Sequence, residues 1–279
     1  MEIISTNQLE AILEDGNVII VDARGGADAY DRYKSGHLAG ALFVDLETDL
    51  SNKSANAAHG GRHPLPEPGE FGKFLSKINI TPSSTVVVYD DKRGANAAAR
   101  FWWMLKAAGV TNVYVVSGGL ESIIDEGFEI TIDEPSISSG SSEFVLDEWK
   151  LPVVDIKRVS EVAEHEDYLV IDVRENYRYR GDSEPIDLIA GHIPGAINIP
   201  YTSNLDEKGE FLPVNELLEK YRKAVAGRNP SHIIVHCGSG VTACHTLLAI
   251  DYAGMEIPKL YVGSWSEWSR NNKLIATQD

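Results

Sequence analysis

The stretch Val18-Ile19-Ile20-Val21-Asp22-Ala23-Arg24 returns about 150 residues later as Tyr168-Leu169-Val170-Ile171-Asp172-Val173-Arg174. What surrounds it returns as well. Gly36-His37-Leu38-Ala39-Gly40-Ala41 is matched by Gly191-His192-Ile193-Pro194-Gly195-Ala196, and Thr85-Val86-Val87-Val88-Tyr89-Asp90 by His232-Ile233-Ile234-Val235-His236-Cys237. Val113-Tyr114-Val115-Val116-Ser117-Gly118-Gly119 is matched by Lys259-Leu260-Tyr261-Val262-Gly263-Ser264. Because order and spacing are both preserved, the chain reads as a duplicated domain, with one copy over 1–130 and a second over 146–279. Between them, 131–145 is rich in Ser, carries Pro135 and Gly140, and has no sustained period, so it reads as a linker.

Within each copy the short apolar runs, such as Val86-Val87-Val88 and Ile233-Ile234-Val235, are uninterrupted rather than alternating. That is the pattern of strands buried on both faces of a parallel sheet. Helical patterns lie between them. The clearest runs from Ala97 to Ala108, with Phe101, Trp102, Leu105 and Ala108 at helical spacing and Gly109 as its stop. Alternating strand and helix predicts an α/β fold in each copy, a mostly parallel sheet flanked by helices.

Composition narrows the function. A chain of 279 residues with 43% hydrophobic and 24% charged residues suits two globular domains. The formal net charge of -17 repels phosphate backbones and anionic lipid, so neither nucleic acid nor a membrane surface is the expected partner. Any anionic substrate must be held by a local basic cluster. The start Met1-Glu2-Ile3-Ile4-Ser5 lacks the features of a secretory signal, and no run of about 20 apolar residues follows, which makes the cytoplasm the expected location. Two cysteines, Cys237 and Cys244, are too few for a disulfide scaffold and are not spaced as zinc ligands. No cluster in the sequence implies a metal or organic cofactor.

The chemistry points to Cys237. It ends a buried strand and opens the loop Cys237-Gly238-Ser239-Gly240-Val241-Thr242, after which Ala243 to Ile250 has helical spacing. The carboxyl ends of strands are where open α/β sheets bind ligands. Glycines let successive N–H groups turn inward as an anion cradle, and the next helix adds its positive end. A thiolate there is a good nucleophile, and a persulfide anion would be stabilised by the same cradle.

This loop resembles the active-site loop of the mercaptopyruvate sulfurtransferase branch of the tandem rhodanese family, and the resemblance covers the whole chain. Gly263-Ser264-Trp265-Ser266-Glu267-Trp268 resembles that family's C-terminal signature. The resemblance implies two tandem rhodanese-like domains, the first inactive because Asp90 stands where the second has Cys237. It implies sulfur transfer from 3-mercaptopyruvate through a Cys237 persulfide to cyanide, a small thiol or thioredoxin. Gly238, Gly240, Val241 and Thr242 would line the donor site, Ser239 would hydrogen-bond or help activate the donor, and Arg178, with Arg180 nearby, would hold its carboxylate. His37 resembles the first-domain histidine proposed to relay protons with the loop serine, although His192 at the matching place of the second copy favours a repeated structural turn.

Two features test the resemblance. A phosphatase loop of this length needs an arginine six positions after the cysteine, and Ala243 stands there. The mercaptopyruvate branch supplies a second arginine nine positions after the first, whereas this chain has Asp187, closer to the thiosulfate-preferring pattern. Thiosulfate is therefore the alternative donor, and a persulfide carrier without turnover is the rival from another class. Asp22 with Arg24 and Asp172 with Arg174 read as structural pairs, His236 as packed, Cys244 as buried, and Trp265 and Trp268 as core.

Overall fold

The computed structural model describes residues 2–14, 16–53, 56–136 and 143–278. Two compact units emerge, and neither is a single unbroken stretch. The first comprises Met1–Asn52, Pro66–Lys150 and Glu207–Phe211; the second comprises Lys53–Leu65, Leu151–Asp206 and Leu212–Asp279. Residues 137–142 of the expected linker lie outside the described residues. The part that follows is bound to the first unit: the Phe144 N–H donates to Ser76 Oγ at 2.8 Å, the Lys150 N–H to the Ala107 carbonyl at 2.8 Å, and the Trp149 ring lies 5.3 Å from that of Phe71.

The first unit holds strands β1 (Ile3–Ile4), β2 (Val18–Arg24), β3 (His37–Leu38), β4 (Leu42–Asp45), β5 (Thr85–Tyr89), β6 (Asn112–Val116) and β7 (Ile130–Thr131). Five of them form a parallel sheet in the order β1-β6-β5-β2-β4, and β3 pairs antiparallel with β7. The second unit holds β8 (Val153–Val154), β9 (Leu169–Asp172), β10 (Ile197–Asn198), β11 (Ile233–His236) and β12 (Lys259–Tyr261). They pair in parallel in the order β8-β12-β11-β9-β10, which is the topology of the first sheet over again. The uninterrupted apolar runs are the central strands, and every residue of β9 and β11 is buried. The helix Ala97–Ala108 has the span its spacing predicts and ends at Gly109 with φ +96.

Topology decides where a site can form. In both sheets the chain reverses its direction of travel between the two central strands, so the loops after β9 and β11 flank a crevice at their carboxyl ends. No helix among the described residues is long and apolar enough to cross a membrane.

The first unit shows what its own strand-end loop does with an anion. The buried Asp90 carboxylate accepts N–H bonds from Lys92 (2.9 Å), Gly94 (2.7 Å), Asn96 (3.0 Å) and Ala98 (3.1 Å). Burial pushes its pKa up to about 6, against the pull of these four donors. Asp90→Ala leaves the donors without their acceptor. It should cost about 3 kcal/mol or more, seen in thermal unfolding as a Tm lower by about 6 °C or more.

Candidate active site

Cys237 follows β11 and is buried at 3% exposure, with its backbone fixed from two sides. Its carbonyl accepts the Trp265 N–H at 3.0 Å and its N–H donates to Ser264 Oγ at 3.2 Å, while the Gly238 carbonyl accepts the Ser266 N–H at 2.8 Å. The segment resembling the family's C-terminal signature is thus the shelf on which the loop rests. Gly240 has φ +74, and a β-carbon there would come within 2.6 Å of the Val262 carbonyl oxygen, so only glycine allows the loop to close on β12. One turn into the following helix, Thr242–Tyr252, Cys244 Sγ donates back to the Gly240 carbonyl at 3.3 Å.

The charged residues around the loop come from three separate stretches. Arg178 lies on the short helix Asn176–Tyr179 after β9, across the crevice from Cys237. Arg62 arrives from segment 53–65, and its Nη2 and that of Arg178 stand 2.9 and 3.4 Å from the place a β-carbon would occupy on Gly238. Arg270 follows the last helix. All three meet Asp187, whose side chain has no solvent exposure: Arg62 Nε and Arg270 Nη1 lie 3.1 Å from Oδ1, and Arg178 Nη2 lies 3.5 Å from Oδ2. Arg178 also meets Glu184 at 2.9 Å and Glu175 at 3.4 Å. Burial opposes its charge, but the hydrogen bonds and charges of Glu184 and Glu175 together outweigh this and hold its pKa above the ordinary arginine value. The cation missing nine positions after Arg178 is thus provided from elsewhere, and Asp187 is the group that gathers it.

Ser239 is paired with a histidine, but not with His37. His63 Nδ1 lies 2.8 Å from Ser239 Oγ. His37 belongs to the first unit, fully buried, its ring stacked on Tyr33 at 3.8 Å and its two nitrogens 2.9 and 3.2 Å from the carbonyls of Tyr33 and Asp133. His192 repeats this arrangement in the second unit, stacked on Tyr179 at 3.7 Å with Nδ1 2.8 Å from the Tyr179 carbonyl. The histidine that meets the loop serine is therefore His63, and the expectation for His37 is corrected, because its ring is held within the first unit. Arg180 is also set apart from the cluster, 47% exposed and 3.6 Å from Asp182.

The remaining singled-out residues support the loop from below. Trp265 and Trp268 lie in the core of the second unit. His236 is buried opposite Asp172 in register, its Nε2 3.8 Å from Asp172 Oδ2, and burial lowers its pKa. Reading the sequence alone missed Arg62, His63 and Arg270. The available signal was Gly60-Gly61-Arg62-His63-Pro64, paired glycines followed by two basic residues in an acidic chain. Gly61 has φ +81, and a β-carbon on it would meet the Gly263 carbonyl oxygen at 2.4 Å, so its absence brings this segment against the shelf beneath Cys237.

Comparison with known proteins agrees with this anatomy. The rhodanese-like domain model matches twice, over residues 5–126 and 155–271, and the chain belongs to that family. It is 37% identical over 284 residues to "Probable 3-mercaptopyruvate sulfurtransferase" of Pseudomonas aeruginosa, covering 100% of this chain and 99% of that protein. It is 32% identical over 243 residues to a thiosulfate sulfurtransferase of Gallus gallus, covering 86% of this chain and 81% of that protein. Among solved structures, the 3-mercaptopyruvate enzyme SseA from Escherichia coli superimposes with a TM-score of 0.77 at 30% identity, covering 95% of this chain and 99% of that one.

Gly61→Ala forces an L-residue into left-handed backbone against a carbonyl and should destabilise the second unit by about 2 kcal/mol or more, measured by denaturant unfolding. A second prediction concerns pH. Burial lowers the pKa of His245 to about 3, so the folded unit keeps it neutral while the unfolded chain protonates it near its ordinary value of about 6.5. Stability contributed by the neutral ring is full above that value and is lost as pH falls from there toward the folded pKa. His245→Gln should therefore flatten the decline in unfolding free energy between pH 6.5 and 4 by up to about 1.4 kcal/mol per pH unit, the value for one proton.

Proposed function

We propose that the chain is a 3-mercaptopyruvate sulfurtransferase working through a persulfide on Cys237. The observation that carries this is the grouping at one loop of a buried cysteine, two guanidinium groups from Arg62 and Arg178 beside Gly238, and a Ser239–His63 pair. A donor with one carboxylate and a neighbouring keto group suits it. The carboxylate pairs with the guanidiniums, which fixes the donor sulfur near Cys237.

The Cys237 thiolate attacks that sulfur, forming the S–S bond as the C–S bond breaks, and the electron pair passes into the enolate of pyruvate. Ser239 donates a hydrogen bond to the enolate oxygen, backed by His63, and protonation at carbon then gives pyruvate. The proton that reaches the enolate carbon is that of the donor thiol, carried at first by the new persulfide, so pyruvate leaves and the persulfide remains as an anion. Asp90 supports the next step by analogy within the chain, since a carboxylate oxygen and the outer sulfur of a cysteine persulfide both stand two bonds from Cβ. In the first unit a strand-end loop surrounds such an anion with four N–H donors. A thiophilic acceptor, cyanide, a small thiol or thioredoxin, then attacks the outer sulfur and restores the Cys237 thiolate. Such thiol acceptors belong to a reducing compartment, which favours the cytoplasm.

Steady-state transfer to cyanide, measured with 3-mercaptopyruvate and with thiosulfate, tests the reading. The wild type should show the higher kcat/KM with 3-mercaptopyruvate and gain the mass of one sulfur atom when donor is supplied without acceptor. Cys237→Ser should show neither turnover nor mass gain, and Ser239→Ala should lower kcat with 3-mercaptopyruvate about 100-fold. A higher kcat/KM with thiosulfate would replace the donor, and sulfur loading without turnover would make the chain a carrier.

A further inference from the structure

We infer that Glu267 is a positioning residue, docking the segment that carries Arg62 and His63 onto the same short helix that holds the Cys237 loop. The inference rests on the sulfurtransferase reading and deepens it. Residues 53–65 belong to the second unit, although the chain on either side of them belongs to the first. Among its described residues the segment has neither strand nor helix, so side-chain contacts must fix where it lies.

Those contacts converge on one turn of the helix Ser264–Trp268. Glu267 Oε1 accepts the Gly60 N–H at 2.8 Å, and Ser266 Oγ accepts the Arg62 N–H at 3.0 Å. Just beyond the helix, Asn271 Nδ2 donates to the Ala58 carbonyl at 2.9 Å and to the Glu267 carbonyl at 2.8 Å. Glu267 makes the strongest of these contacts, because a charged acceptor forms a hydrogen bond roughly twice as strong as a neutral one. Its aim is fixed as well. The residue is buried, and its Oε2 accepts the Tyr261 hydroxyl at 2.8 Å. Burial, and then the Glu267 charge, raises the pKa of Tyr261, so this hydroxyl remains a donor. A β-carbon on Gly263 would overlap that same carboxylate oxygen, so the carboxylate lies where only glycine leaves room.

One rigid element thus positions both sides of the reaction. Ser264 Oγ and the N–H groups of Trp265 and Ser266 hold the backbone of Cys237 and Gly238, while the side chains of Ser266 and Glu267 hold Arg62 and Gly60. From there Arg62 Nε reaches Asp187 Oδ1 at 3.1 Å and His63 Nδ1 reaches Ser239 Oγ at 2.8 Å. Gly60 precedes both closely in the chain, so a shift at Gly60 is passed to them, and a misplacement of about 1 Å costs about 100-fold in rate.

Glu267→Ala should therefore lower kcat/KM for 3-mercaptopyruvate about 100-fold, whereas Glu267→Gln, which keeps an acceptor for Gly60, should stay within about tenfold of the wild type. The deciding comparison is a mutant cycle. In a chain already carrying Arg62→Ala and His63→Ala, Glu267→Ala should cost less than about threefold, because the groups it places are gone. An equal loss in both backgrounds would overturn the inference, since Glu267 would then only support the fold. Amide hydrogen exchange tests the docking without turnover: Glu267→Ala should speed exchange over 58–63 about tenfold or more and leave 237–241 at the wild-type rate. Unchanged exchange over 58–63, or an equal rise in both stretches, would also overturn it. If Glu267→Ala does not fold, Tyr261→Phe, which strips one of the donors fixing the carboxylate, should give the same pattern in smaller degree. A wild type that turns over neither donor would sink the sulfurtransferase reading, while the exchange pattern would still decide the role of Glu267.

Discussion

The pairing of Asp172 with Arg174 at the end of β9 is the constraint from which the site is built. The two groups meet at 2.5 Å with side-chain exposures of 0% and 1%, so neither charge can be removed without stranding the other. Breaking one partner of such a pair typically costs about 3–5 kcal/mol. Burial alone would raise the carboxyl pKa of Asp172, but Arg174 and His236 reverse this and hold it below the ordinary value. Arg174 then does three more things: it donates to the Gly191 carbonyl at 2.6 Å, lies over the Trp265 ring at 4.5 Å, and meets Glu184 at 3.2 Å. Glu184 in turn fixes Arg178, Arg178 meets Asp187, and Asp187 holds Arg62 and Arg270. Charge alternates along the chain of contacts from the sheet to the loop.

The first unit repeats the root of this network without its outer branches. Asp22 and Arg24 meet at 2.6 Å, and Arg24 donates to the Gly36 carbonyl just as Arg174 does to Gly191. At the strand end the two units part. Where the second has a thiol, the first has a carboxylate already satisfied by four amides, and no anion has reason to displace it. One fold thus ends the same central strand in a loop closed around a carboxylate in one copy and in a shorter, glycine-rich loop opened by a cysteine in the other.

An acidic protein that must receive an anionic donor faces a conflict between its global field and its local need. The arginine cluster resolves it at short range, where a guanidinium a few ångströms away outweighs distant carboxylates that solvent and salt screen. Having the cations bound to carboxylates keeps them in place before the donor arrives, so that little side-chain entropy is lost on binding.

Much of this was legible in the sequence. Repetition with preserved order defines two domains of one topology, because each strand must return to the same neighbour for the apolar runs to be buried. The glycine-rich loop after a buried strand marks Cys237 and Ser239 as candidates, since a strand end followed by glycines is a local backbone pattern. Arg178 follows the neighbouring strand at a fixed short distance, so its place is nearly local too. The partner of Ser239 is 176 residues away in sequence, and Arg62 is 125 from Asp187. His37 looked suitable because it belongs to a repeated motif, but the repeat exists to stack the ring on Tyr33. Which basic residues reach the loop is decided by where segment 53–65 packs, and that depends on the fit of Gly61 against Gly263, a shape that no local pattern encodes. The sequence by itself determined the sheets and the placing of Cys237 on a glycine-rich loop at a strand end, because these follow from periodicity and backbone conformation; only the tertiary structure decided the charge around that loop, because that charge is assembled from residues that meet solely through the fold.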